Sequence, residues 1–212
     1  MSTLQALSLA MGTAWTSGIN LYATVAALGI AGQLQMIQLP EDLQVLMHPA
    51  VIAVACTMYV IEFFADKIPY VDNGWDVLHT FIRVPAGAVL AARSLGPMNP
   101  ALEFIALLAG GTVALAAHGT KVTTRLAINV SPEPVSNWIA SVSEDLSVLG
   151  SIWLIFNHPL IMLFLLLGFF ALAVWLIPKI FRLAKQGFQA LRNRLRGAKP
   201  DSTASSASRS GS

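Results

Sequence analysis

The chain has 212 residues, of which 55% are hydrophobic and only 11% charged, with a mean hydropathy of +0.65. Soluble domains carry roughly a quarter charged residues, so a water-facing surface is excluded for most of the chain and lipid is the solvent that fits. The formal charge of +2 hides an asymmetry: residues 1–178 hold five bases against ten acids, while eight bases and the single acid Asp201 follow from Lys179 onward.

The composition predicts an all-α integral membrane protein with about six transmembrane helices in a domain over 1–178. The first span covers residues 4–31 and is broken near Ser17-Gly18-Ile19-Asn20, because Gly and Ser loosen a helix and Asn20 cannot face lipid cheaply. A polar connection from Gln33 to Met47 follows. His48-Pro49 opens a second span that ends near Phe64, and Asp66 to Asp76 reads as a loop with turn signals at Ile68-Pro69 and Asp72-Asn73-Gly74. The third span, Trp75 to Ala92, holds Pro85 and Gly87 and is short enough to be re-entrant. Gly96-Pro97 precedes a fourth span from Ala101 to about Gly119, with Thr120 to Asn129 as its polar continuation.

Ser131-Pro132-Glu133-Pro134 ends that helix, since each Pro disfavours helix in the residue before it. The fifth span runs from Val135 to Phe156, Asn157-His158-Pro159 is a tight turn, and the sixth spans Leu160 to Ile177. Phe181 to Leu195 mixes apolar and basic residues, so 179–199 reads as a basic amphipathic juxtamembrane helix. Residues 200–212 are Ser/Ala/Gly-rich and read as disordered. Six spans divide into three plus three, which leaves an inverted repeat open. The basic tail places the C-terminus in the cytoplasm, and six crossings place the N-terminus there too. Trp75, Trp138, Trp153 and Trp175 suit interfacial anchoring.

Ionisable residues at membrane depth carry the functional reading. Glu144 and Asp145 lie about ten residues after Pro134, roughly 15 Å into a helix, where each acid costs about 2.5–3.5 kcal/mol. They are either structural ion partners of Lys121, Arg125 or Arg83, or part of a polar pathway. Asp76, His79 and Arg83 form one stripe by their three- and four-residue spacing, and Glu62 with Asp66 forms another. His118, Lys121 and Arg125 share a third face.

Asp66, Asp72, Asp76 and His79 together have the residue types of a divalent-metal site, while solvated helix ends with snorkelling charges explain Asp66, Lys67 and Asp72 equally simply. The lone Cys56 excludes a disulfide framework. No nucleophile motif, phosphate loop or metalloprotease signature is present, so no cofactor is named and an enzyme is the less favoured class.

The strings Phe63-Phe64-Ala65-Asp66-Lys67-Ile68-Pro69, Trp75-Asp76-Val77-Leu78-His79-Thr80-Phe81-Ile82-Arg83 and Asn129-Val130-Ser131-Pro132-Glu133-Pro134-Val135-Ser136-Asn137-Trp138 resemble a family of small bacterial inner-membrane proteins catalogued as a domain of unknown function, number 4126. The resemblance implies a compact multi-span domain and carries over no substrate or catalytic residue.

The leading expectation is a small transporter or channel-like permease. Its polar site would be built from Glu62, Asp76, His79, Arg83, His118, Lys121, Arg125, Glu144 and Asp145. A metal-dependent membrane enzyme or lipid-headgroup binder, and a scaffold subunit, are the alternatives. The expected partners are the bilayer, with anionic headgroups for the tail; nucleic acid is not expected, and self-association is left open.

Overall fold

A computed structural model describes residues 1–68, 71–129 and 134–175, without the side chains of residues 72, 73, 129 and 134. The expected basic helix at 179–199 and tail at 200–212 lie outside the described residues. Every described element is helical: α1 (Thr3–Gln33), a 3₁₀ segment (Glu41–Met47), α2 (Pro49–Ala65), α3 (Val71–Ser94), α4 (Pro100–Asn129), α5 (Pro134–Asn157) and α6 (Pro159–Trp175). Residues Met1–Phe170 form one compact unit, and a second begins at Ala171.

Local chemistry sets the helix ends. Ser2 and Gln5 form a reciprocal capping box at the start of α1, with Gln5 N–H donating to Ser2 Oγ at 3.2 Å and Ser2 N–H to Gln5 Oε1 at 2.9 Å. His48 caps α2 through Nδ1, which accepts from Ala50 N–H at 3.2 Å, and Pro49 occupies the first helical position. Gly96, at φ +76°, turns the chain between α3 and α4.

The largest departure from expectation is α1. Asn20 adopts extended angles, φ −146° and ψ 99°, and the helix doubles back there. Gly12 lies against Ile155 and Met162, Gly18 against Ala114 and Ala117, and Tyr22 against His79. Thereafter the chain returns: Gly29 lies against Leu46 and Ile52, and Ile30 and Ala31 share a cavity wall with Trp153 and Phe156. Residues 12 and 30 thus stand at the same level of α5, with Asn20 between them at the level of Asp145. The arms, 3–19 and 21–33, are roughly 25 and 20 Å long, each short of the ~30 Å hydrocarbon core.

The expected single crossing over 4–31 is therefore a helical hairpin, and the break foreseen at Asn20 is its tip. One extended residue suffices because Asn20 supplies its own cap. Its Oδ1 accepts from Ala23 N–H at 2.9 Å, and its carbonyl accepts from Thr24 Oγ1 at 2.8 Å.

This hairpin forms the centre of the unit, packed against α2, α3, α4 and α5. Small residues permit that approach. A Cβ on Gly18 would collide with the Ala114 carbonyl, and one on Gly87 with Ala114 and Ser17, the close packing that membrane helices use in place of a hydrophobic drive. α3 is continuous for 24 residues, with Pro85 inside it rather than ending it, and begins within the segment expected to be a loop.

Among the described residues, α4 over Pro100–Ile128 and α5 over Val135–Asn157 are long and apolar enough to cross a membrane. The 3₁₀ segment and α2, bent by 65°, make a third candidate together. Neither six spans nor the inverted repeat is established. Polarity is inside-out. Arg83 and Arg125 are among the largest fully buried side chains, while Phe81, Phe104, Ile139 and Phe164 lie exposed. An apolar exterior of this extent has no place in water.

Candidate functional site

The C-terminal ends of α2 and α4 and the N-terminal ends of α3 and α5 lie at one end of the unit, and charged residues from all four helices converge there. α2 contributes Glu62 and Asp66 near its last turn. α3 contributes Asp76 and Arg83, seven residues apart on one face. α4 contributes His118, Lys121 and Arg125, at i, i+3 and i+7, so that all three point inward. α5 contributes Glu144.

Lys121 occupies the centre. Its Nζ lies 3.4 Å from Glu62 Oε1, 3.1 Å from Asp66 Oδ2, 3.6 Å from Asp76 Oδ1 and 3.3 Å from Glu144 Oε2. Four carboxylates therefore share an ammonium with three N–H bonds. Arg83 bridges Glu62, through Nη2, and Asp76, through Nη1 at 3.1 Å. Arg125 forks onto Glu144, with Nε to Oε1 at 2.9 Å and Nη2 to Oε2 at 2.8 Å. Its Nη1 also donates to the Asp66 and Asn137 carbonyls at 3.1 and 3.2 Å, tying α4 to the ends of α2 and α5.

His118 is neutral by its partners. Arg83 can only donate, so the His118 Nδ1 that faces it at 3.2 Å accepts. His118 Nε2–H then donates to the Asp76 carbonyl at 3.1 Å and to Thr80 Oγ1 at 2.8 Å. His79 donates from Nδ1 to the Trp75 carbonyl at 2.8 Å, and its Nε2 shares a hydrogen bond of 3.1 Å with the Tyr22 hydroxyl.

Asp145 points about 100° away from Glu144 and leaves the cation web. It accepts from Tyr59 Oη at 2.9 Å and from Asn20 Nδ2, the tip of the hairpin, at 3.2 Å. Lys67, beyond the end of α2, lies over the Phe63 ring and donates to the Phe63 carbonyl at 2.8 Å. Burial lowers the pKa of this ammonium, while nearby Asp145 and Asp66 oppose the shift.

Of the expected site residues, Glu62, Asp76, Arg83, His118, Lys121, Arg125 and Glu144 thus come together, with Glu144 paired to Lys121 and Arg125, while Asp145 and His79 lie beside them on uncharged partners. Asp66 and Lys67 are not solvated helix ends: their residues are only 3% and 9% exposed. Among the described residues no three His, Cys, Asp or Glu side chains form a group that would hold a metal. Asp66 and Asp76 face Lys121, and His79 faces Tyr22 and Trp75 instead; the side chain of Asp72 lies outside the described residues. Trp75 stacks on His79, with ring centroids 4.4 Å apart, rather than anchoring freely. Tyr22 and Tyr59 were missed, although a phenol within an apolar helix signals a buried partner.

A cavity of about 330 Å³ reaches the cluster from the side, lined among others by Trp15, Thr120, Lys121, Thr124, Glu144 and Phe169. Glu144, 15% exposed, is the most accessible carboxylate of the web. Glu62 Oε2, Asp66 Oδ1 and Asp76 Oδ2 are buried with no hydrogen-bond partner.

Fold and site together define a helical membrane protein with a charged interior. The chain belongs to the family described as a domain of unknown function (DUF4126), whose sequence model matches residues 7–179. No curated protein and no solved structure matches the chain.

Proposed function

We propose that the chain is a small membrane permease, transporter- or channel-like, whose pathway runs past the hairpin tip and the buried charge cluster. One observation carries the reading: a broken helix ends in mid-unit on Asp145, beside a web of ionisable side chains. Irregular backbone at membrane depth is tolerated where it is enclosed by protein or lines a cavity, and broken helices of this kind form transporter sites. Ionisable residues at that depth are costly and accompany transport paths. The cavity beside Lys121 and Glu144 supplies a lateral opening to the same place.

In this reading α2 to α6 cross the membrane five times and α1 is re-entrant. The short hydropathy of α3 fits, since its charges point inward and Phe81, Ile82 and Val89 point outward. Lys67, Lys121 and Arg125 then lie towards the cytoplasm with the basic tail, and the N-terminus lies on the other side. A bacterial inner membrane is the location proposed, by family resemblance.

Flux into proteoliposomes tests the proposal. Glu144→Gln and Asp145→Asn should abolish the flux of the ion carried while the protein stays folded. A scaffold role is the second reading, favoured by the way Arg125 ties α2, α4 and α5 together. Unchanged flux in both variants would discard the permease in its favour.

A further inference from the structure

Among the described residues, the charge count of the cluster does not close. Arg83, Lys121 and Arg125 supply three cations, whereas Glu62, Asp66, Asp76 and Glu144 supply four carboxylates. His118 adds nothing, being held neutral by Arg83, and the ring nitrogens of His79 face the Tyr22 hydroxyl and the Trp75 carbonyl rather than a carboxylate. Widening the circle to Lys67 and Asp145 adds one charge of each sign and leaves the same excess. An uncompensated carboxylate in a dry interior neutralises itself rather than remaining charged.

We infer that the cluster binds one proton, shared among Glu62, Asp66 and Asp76. The inference takes the cluster as the working site proposed above and names its ion. Two further observations select a proton over a larger cation. The point where the carboxylates converge is already filled by the Lys121 ammonium, so an ion of atomic size meets an occupied centre. The free oxygens, one on each of the three acids, belong to residues no more than 3% exposed and do not converge as a metal-holding group among the described residues.

Glu144 is set apart because both of its oxygens are engaged by Arg125. The three others each use one oxygen on cations and keep the second without a partner. A proton on any one of them makes the web neutral, at three charges of each sign. It moves between them without a change in that total, from α2 to α3 around Lys121. From α1 the group facing this web is Tyr22, next to His79, which offers a hydroxyl and no charge.

The measurement is infrared spectroscopy of the intact protein in liposomes at neutral pH, in H₂O and D₂O, reading the isotope-sensitive C=O stretch of a protonated carboxyl. The wild type should show one such group. Glu62→Gln, Asp66→Asn and Asp76→Asn should each remove it, because each makes the count three against three whichever acid is replaced. Each should also keep a thermal midpoint at or above that of the wild type, as an amide copies the protonated acid.

Lys121→Met should raise the signal to two groups; if that variant fails to fold, the amide series decides. No protonated carboxyl in the wild type, or a signal surviving in any folded amide variant, overturns the inference. The flux assay answers separately. A bound proton without flux removes the permease and keeps this inference, whereas flux without a bound proton overturns the inference and keeps the permease.

Discussion

Replacing Arg125 with Met is the sharpest perturbation of the web. The change deletes a bidentate pair to Glu144 at 2.8 and 2.9 Å, a contact to Asp66 Oδ2 at 3.4 Å, and bonds to two backbone carbonyls at 3.1 and 3.2 Å. The cluster falls to two cations against four acids. Breaking a buried pair by removing one partner costs about 3–5 kcal/mol, and loss of the donor to the Asp66 carbonyl adds about 1–3 kcal/mol unless water reaches it. Domain stabilities are typically about 5–15 kcal/mol, so the variant should lose a large share of the total.

The assay is thermal unfolding in detergent, followed by tryptophan fluorescence, with Arg125→Lys and the double variant Arg125→Met/Glu144→Gln alongside. Lysine keeps the charge but not the fork, so it should fall between wild type and Met. The double variant should recover part of the loss, with a coupling of about 0.5–3 kcal/mol, because it restores the original excess of one acid. An Arg125→Met protein as stable as wild type, or a double variant that merely adds the two single losses, would refute the ion-web energetics.

Three further outcomes follow from the geometry. Gly18→Leu should destabilise by about 1–3 kcal/mol or more through overpacking against Ala114, measured by the same unfolding assay. Tyr59→Phe and Asn20→Ala each remove one donor from Asp145, so each should cost about 1–3 kcal/mol, and Asn20→Ala the more because it also uncaps the second arm of α1. In a Cys56→Ala background, cysteines placed at Ser2 and Ile68 should react with an impermeant reagent from opposite faces of oriented vesicles; labelling from one face would mean that α1 crosses.

Much of this was legible in the sequence because its signals are local. Pro49, Pro100, Pro134 and Pro159 each open a helix, and the weakness around Asn20 marks the break in α1. Depth singled out Glu144, and helical spacing grouped Glu62, Arg83 and Lys121 with their neighbours. What failed was non-local. A 28-residue apolar stretch reads the same whether it crosses or doubles back at one extended residue, and only packing against both levels of α5 decides. Asp66 and Lys67 follow the last apolar residue of α2 and resemble a wet helix end, yet the turn folds them inward onto Lys121, Arg125 and Phe63. α3 averages poorly on hydropathy since its inward stripe holds Asp76, His79 and Arg83, and an average over a helix cannot separate its two faces.

The central claim is that the charged interior carries an ion, and proton movement in sealed proteoliposomes tests it most directly. With a pH gradient imposed and a trapped pH-sensitive dye as readout, wild-type protein should dissipate the gradient well above protein-free liposomes. Folded Glu62→Gln protein, with its count closed at three against three, should not. Equal rates for the two proteins, or a wild type no faster than bare lipid, would contradict the account.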